Sequence, residues 1–90
     1  DMKARLPQGY GKQNMSQLMQ QAQQMQEEMG KLQAALEVVD KKLSNESFVT
    51  RAKPEIVQRE RDRAAELKDN LEKLTTLQAR FLEALENGED

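Results

Sequence analysis

Apolar side chains recur in alternating steps of three and four over most of this chain. Met15, Leu18, Ala22, Met25, Met29, Leu32, Leu36, Val39 and Leu43 make the first run. Val57, Ala64, Leu67, Leu71, Leu74, Phe81 and Leu85 follow the same heptad in the second, with polar Glu60 and Gln78 in two of its slots. Such a step buries one narrow stripe of a helix, and a heptad kept this strictly buries it against another helix. Two matched runs with one reversal between them predict an all-α fold, an antiparallel two-helix coiled-coil hairpin. The reversal lies in KKLSNESFVTRAKPEIVQRER, Lys41 to Arg61, the most distinctive local sequence in the chain.

Composition agrees with a thin seam. Ninety residues allow one small domain, and 37% hydrophobic against 33% charged residues, with one Tyr and two Phe, leave little bulk for a thick core. The formal charge of −2 gives the chain as a whole no strong pull on nucleic acid or acidic lipid. Cys and His are absent, which removes disulfides, thiolate nucleophiles, imidazole bases and the usual zinc ligands. There is also no glycine-rich phosphate loop and no metal-ligand spacing. Carboxylates are plentiful, but a two-helix rod offers them no cleft that excludes water. No catalytic, cofactor-binding or metal residue is therefore assigned, and neither enzyme activity nor a small-molecule substrate is expected. No apolar run approaches the ~20 residues of a membrane span, and no signal-peptide core is visible. A cytoplasmic protein is the expectation.

Local signals divide the chain. Residues 1–13, DMKARLPQGYGKQ, read as a flexible leader, with Asp1 before Met2 a vector remnant. Asn14 and Ser16 each offer an N-cap oxygen, and Gln17 stands three beyond Asn14. The first helix is expected over 14–43, continuing through Gly30 at a cost of about 1 kcal/mol relative to Ala. Residues 44–53 form the tip, where Ser44 or Asn45 caps a short helical turn and Phe48 and Val49 plug the end of the seam. Pro54 suits a first helical position, because its missing N–H would have no partner there, and Glu55 favours a helix N-terminus. The second helix is expected over 54–86, stopped by Asn87-Gly88, with an acidic tail over 87–90. Each helix is then roughly 45–50 Å long.

Several features have a plain packing account. Met15, Met25 and Met29 are seam positions, while Met19 widens the apolar face beside Leu18. Gln17, Gln20, Gln21, Gln23, Gln24 and Gln26 surround that stripe as a solvated helix face. Glu60 is expected near the edge of the seam, with its charge reaching solvent or Lys41 and Lys42. Gln78 is milder, with Leu77 beside it taking over part of the packing. Basic residues gather near the reversal: Lys41, Lys42, Arg51, Lys53, Arg59, Arg61 and Arg63. Asp40, Glu46, Glu55, Glu60 and Asp62 interleave with them, so seven against five leave +2 over residues 40–63. That is a weak nucleic-acid signal by itself. Surface pairing such as Glu55–Arg59 at i,i+4 is its plain explanation.

Lys42-Leu43-Ser44-Asn45-Glu46, Phe48-Val49, Ala52, Val57 and Glu60-Arg61, with Pro54 one place past the pattern's Pro, follow a pattern, KLSNExFVxxAPxxVVxxER, that a heptad does not require. By these residues the stretch from about Leu32 to Leu85 resembles the C-terminal coiled-coil arm of valyl-tRNA synthetases. Lys53 stands where that family often has Ala or another residue before Pro. The resemblance implies an antiparallel hairpin that packs on the outer corner of tRNA and does no chemistry. Pro7, Gly9, Gly11, Asn14-Met15, Leu18-Met19, Gln21-Ala22-Gln23, Met25-Gln26 and Met29 carry a second likeness. Residues of about 3–29 are similar to the N-terminal helix of the YbaB/EbfC family of nucleoid-associated proteins. In that family the helix precedes a β-sheet and contributes to a DNA-binding dimer, yet no alternating Val/Ile-rich strand follows here. The two likenesses meet between about Gly30 and Leu36, with the heptad in register across the join. That reads as a chimeric or engineered protein, with a natural fusion or a chance resemblance as the alternatives.

Met19, Val38, Leu77 and Leu82 lie beside the strict seam, so self-association is expected, as a dimer forming a four-helix bundle. Three functions remain open: a coiled-coil module with no activity of its own, an arm that binds tRNA phosphates through the seven basic residues, and a DNA-associated dimer using the first helix. Duplex DNA is the least favoured of these partners.

Overall fold

The computed structural model describes residues 12–87. Most of the expected leader and residues 88–90 of the expected tail lie outside the described residues. The described chain is all-helical, with α1 (Lys12–Ser44), α2 (Glu46–Arg51) and α3 (Pro54–Glu86), and no strand among the described residues. It is an elongated body of 60 × 22 × 16 Å. α1 and α3 have 33 residues each and lie side by side in opposite senses. Lys42 of α1 meets Glu60 near the reversal, while Gln26 meets Gln78 far from it.

α1 begins at Lys12, so neither Asn14 nor Ser16 stands at the N-cap where the sequence put it. Lys and Gln are good helix formers, and nothing between Lys12 and Asn14 stops the helix from starting earlier. α1 passes through Gly30 unbroken. A Cβ added at Gly30 would meet nothing within 4 Å, so no close approach requires glycine there. α1 ends at Ser44, whose hydroxyl donates to the Asp40 carbonyl at 2.8 Å. Lys41 and Lys42 sit in its last turn, where cations favour the carbonyl end of the helix.

One residue, Asn45, separates α1 from α2. Its side-chain oxygen accepts from the N–H groups of Ser47 at 3.0 Å and Phe48 at 3.4 Å, so Asn45 is the N-cap of α2. Phe48 and Val49 are half-buried, and α2 packs on α1. Ala52 and Lys53 are extended, and α3 starts with Pro54 at its first position. α3 ends at Glu86, where the Asn87 N–H donates to the Glu83 carbonyl at 2.9 Å.

The buried side chains follow the heptad. Val39, Val57, Ala64 and Leu67 are the buried apolar residues, and Leu32, Ala35, Leu36 and Leu43 pack against the cluster of Val39, Ala64 and Leu67. Leu18, Met25, Met29, Leu71, Leu74, Phe81 and Leu85 are half-buried seam positions. Met15 is 42% exposed rather than a seam residue. Leu77 does not share the packing beside Gln78 as expected, because it is 50% exposed. Gln78 is itself buried, at 8%, and takes the seam slot by hydrogen bonding: its Nε2 donates to Gln26 Oε1 at 2.7 Å and to the Ala22 carbonyl at 3.5 Å. A buried amide with partners avoids the penalty of an unpaired one.

Candidate nucleic-acid interface

The tip end of the rod gathers the positive charge. The seven basic residues between 40 and 63 outnumber their five acidic neighbours, whereas the other described residues hold five basic and eight acidic side chains. Lys41, Lys42, Arg51, Lys53, Arg59, Arg61 and Arg63 are all exposed. Arg51 and Lys53 flank the Ala52 break between α2 and α3. The other five stand on the last turns of α1 and the first turns of α3.

Helical periodicity sorts these five. Lys42 lies on the flank that faces Glu60. Arg59 and Arg63 are i,i+4 neighbours on one ridge of α3, on that same flank. Arg61 falls on the opposite flank, and Lys41 faces outward from the pair. The structure therefore brings Lys42, Arg59 and Arg63 to one side, and Arg61 and Lys41 do not join them.

The acidic residues between these arginines are engaged elsewhere. Asp62 accepts a 2.9 Å hydrogen bond from the Gln58 side chain. Glu60, in its seam slot, sits 3.5 Å from Lys42 Nζ. The expected Glu55–Arg59 pair is absent: among the described residues the ion pairs are Lys42–Glu60 and Lys73–Asp69. Arg59, Arg61 and Arg63 thus stand on one stretch of helix without a carboxylate partner among the described residues. Like charges at i,i+4 destabilise a helix by a few tenths of a kcal/mol, and an anion laid across Arg59 and Arg63 would reverse that sign. The sequence missed this because spacing allows Glu55–Arg59 and says nothing of which partner each carboxylate takes.

A shallow hollow lined by Glu72, Lys73, Thr76, Leu77 and Arg80 lies on α3 alone. Among the described residues no group of three His, Cys, Asp or Glu side chains could hold a metal ion. Among the described residues no helix is long and apolar enough to cross a membrane.

A family model described as the valyl-tRNA synthetase tRNA-binding arm matches residues 14–81, from the third residue of α1 to near the end of α3. This chain belongs to that family. The match runs without a break through residues 30–36 and covers most of the first helix. One family therefore accounts for both sides of the expected join, and the comparisons give no support to the YbaB/EbfC likeness or to a chimeric origin. The valine–tRNA ligase of Agrobacterium fabrum (strain C58) is 44% identical over 71 residues, which is 79% of this chain and 8% of the relative. That of Nitratidesulfovibrio vulgaris is 46% identical over 61 residues, 68% of this chain and 7% of the relative. That of Lactococcus lactis subsp. lactis is 49% identical over 51 residues, 57% of this chain and 6% of the relative. The arm therefore spans less than a tenth of the length of these relatives. No solved structure gives a significant match. A tRNA-binding arm is a non-catalytic domain, and a chain holding only this domain is not an enzyme.

Proposed function

We propose that this chain is an antiparallel helical hairpin that binds tRNA through the phosphate backbone and leaves chemistry to other domains. The observation that carries the reading is the set of exposed arginines near the tip, Arg59, Arg61 and Arg63, whose acidic neighbours Glu60 and Asp62 are held by Lys42 and Gln58. Membership in the tRNA-binding-arm family supports the choice of nucleic acid. Arg51 and Lys53 extend the cationic surface around the tip, and Lys41 adds to its outer side. Such contacts set position on a folded RNA rather than read its sequence, because most of the donors are flexible cations and few aromatics are present to stack bases. The reading carries a cytoplasmic location with it.

Self-association is not part of this reading. Met19 and Leu82 fall on one flank of the helix pair by heptad position, and Val38 and Leu77 on the other. Scattered exposed apolar residues of this kind are ordinary on a protein surface.

The test is binding to tRNA and to duplex DNA of matched length, measured by fluorescence anisotropy over a salt series. The arm is expected to bind tRNA with strong salt dependence and to bind the DNA more weakly. Arg59→Ala and Arg63→Ala should each lower tRNA affinity and flatten the log–log salt slope by about one. Equal slopes in variant and parent would remove those phosphate contacts, and equal affinity for both nucleic acids would remove the preference for tRNA.

A further inference from the structure

The half of the rod away from the tip has an unusual centre. Between residues 15 and 32 of α1 and from Leu71 to Leu85 of α3, no apolar side chain is buried. The one buried residue there is Gln78. Around it α3 is rich in apolar groups: Leu71, Leu74, Phe81 and Leu85 along the seam, and exposed Leu77 and Leu82 beside it. With an aliphatic residue at 78, this stretch would present a continuous apolar face to any helix, in more than one register.

We infer that Gln78 determines which partner the open half of α3 accepts, selecting Gln26 of its own α1 in one register over a displaced α1 or a second copy of the chain. The geometry supplies the discrimination. Gln78 Nε2 donates to Gln26 Oε1 at 2.7 Å and to the Ala22 carbonyl at 3.5 Å, both across the helix interface. Displacing α1 by one heptad in one direction sets Met19 where Gln26 stands, and the buried amide loses its 2.7 Å side-chain partner, with only a backbone carbonyl in reach. Displacement in the other direction brings Gln33, a chemical equivalent, but α1 ends at Ser44, two residues past Lys42, so no residue of α1 would then stand opposite Glu60. The Lys42–Glu60 contact therefore rejects the slip that Gln78 tolerates. A second copy that replaced the chain's own α1 and laid its Met19 and Leu82 against this stretch would likewise bury the Gln78 amide against methyl groups. An unpartnered buried amide is costly, so a single polar seam residue sets register and partner number while lowering stability.

This inference concerns the fold and is independent of tRNA binding. The chain has no Cys, so Gln20→Cys and Glu83→Cys, both at exposed sites, give a clean spin-label pair across the open half. Label-to-label distances and sedimentation would be measured for the labelled parent, for Gln78→Leu and for Gln26→Leu, at low and high micromolar concentration. The parent should give one narrow distance and a monomer. Gln78→Leu should melt at a higher temperature, yet show a broadened or two-peaked distance distribution or a larger, concentration-dependent species. Gln26→Leu, which removes the partner and leaves Gln78 in place, should melt lower and broaden in the same way. A parent that is already dimeric overturns the inference. So does a Gln78→Leu variant that keeps one narrow distance and a monomer mass.

Discussion

Near the tip, Val39, Val57, Ala64 and Leu67 are buried between the helices, whereas in the open half the buried seam residue is a glutamine. The same heptad runs through both regions, so pattern does not cause the difference. Position does. Close to the reversal, the seam is covered at its end by α2, and the short links at Asn45 and at Ala52 and Lys53 hold the two long helices together. Farther away only side chains hold them, and Met15 at the far end is exposed. One heptad can thus give a tight seam where the backbone closes it and a loose one where it does not. Cations follow the same division, with the positive excess at the tightly held end.

The largest effect expected from this contrast is in the seam. Leu67→Ala, at a buried position, should destabilise the arm by about 3 kcal/mol, while Leu74→Ala, at a half-buried one, should cost distinctly less. Urea denaturation of the two variants compares the regions directly, and equal losses would erase the distinction. Amide hydrogen exchange should show the same order, with α3 residues 57–67 protected longer than residues 74–85. Asn45→Ala removes the α2 cap and should cost about 1 kcal/mol, with its effect concentrated at the tip. Gly30→Ala, in the open half, should stabilise by slightly less than that, about 0.8 kcal/mol, because the new methyl enters open space and the helix gains propensity. The smallest change is Lys73→Ala. It breaks the exposed i,i+4 pair with Asp69 and should shift stability by a few tenths of a kcal/mol, vanishing in high salt.

Much of the architecture was legible because helical periodicity and local chemistry are short-range. Steps of three and four from Leu18 to Leu43 name one face of one helix without any knowledge of the partner. Asn45 and Pro54 mark starts by what their own atoms do to the backbone. The N-terminus of α1 was less legible, because Asn14 and Ser16 suit a cap but do not oblige the helix to begin there. The interface was half-legible: the basic residues were plain, but the expected Glu55–Arg59 pair was not formed. Charge pairing depends on rotamers and on competing donors such as Gln58 and Lys42, which spacing does not rank. The likeness of the first helix to a nucleoid protein rested on the leader residues Pro7, Gly9 and Gly11 and, within the helix, on Asn, Gln, Ala, Met and Leu along an amphipathic repeat. Unrelated amphipathic helices share that composition, so it discriminates poorly between families.

By itself, then, the sequence determined an all-α chain, two long amphipathic helices, a capped reversal between them and the family-specific residues at that reversal. These follow from backbone preferences and side-chain periodicity, which act within a few residues. Only the tertiary structure decided that Gln78 lies buried against Gln26, that Glu60 turns to Lys42, that Leu77 stays in solvent, and that Arg59, Arg61 and Arg63 are left without carboxylate partners. The first three outcomes depend on the register of one helix against the other, a relation between residues far apart in sequence, and the last on which donors Glu60 and Asp62 take.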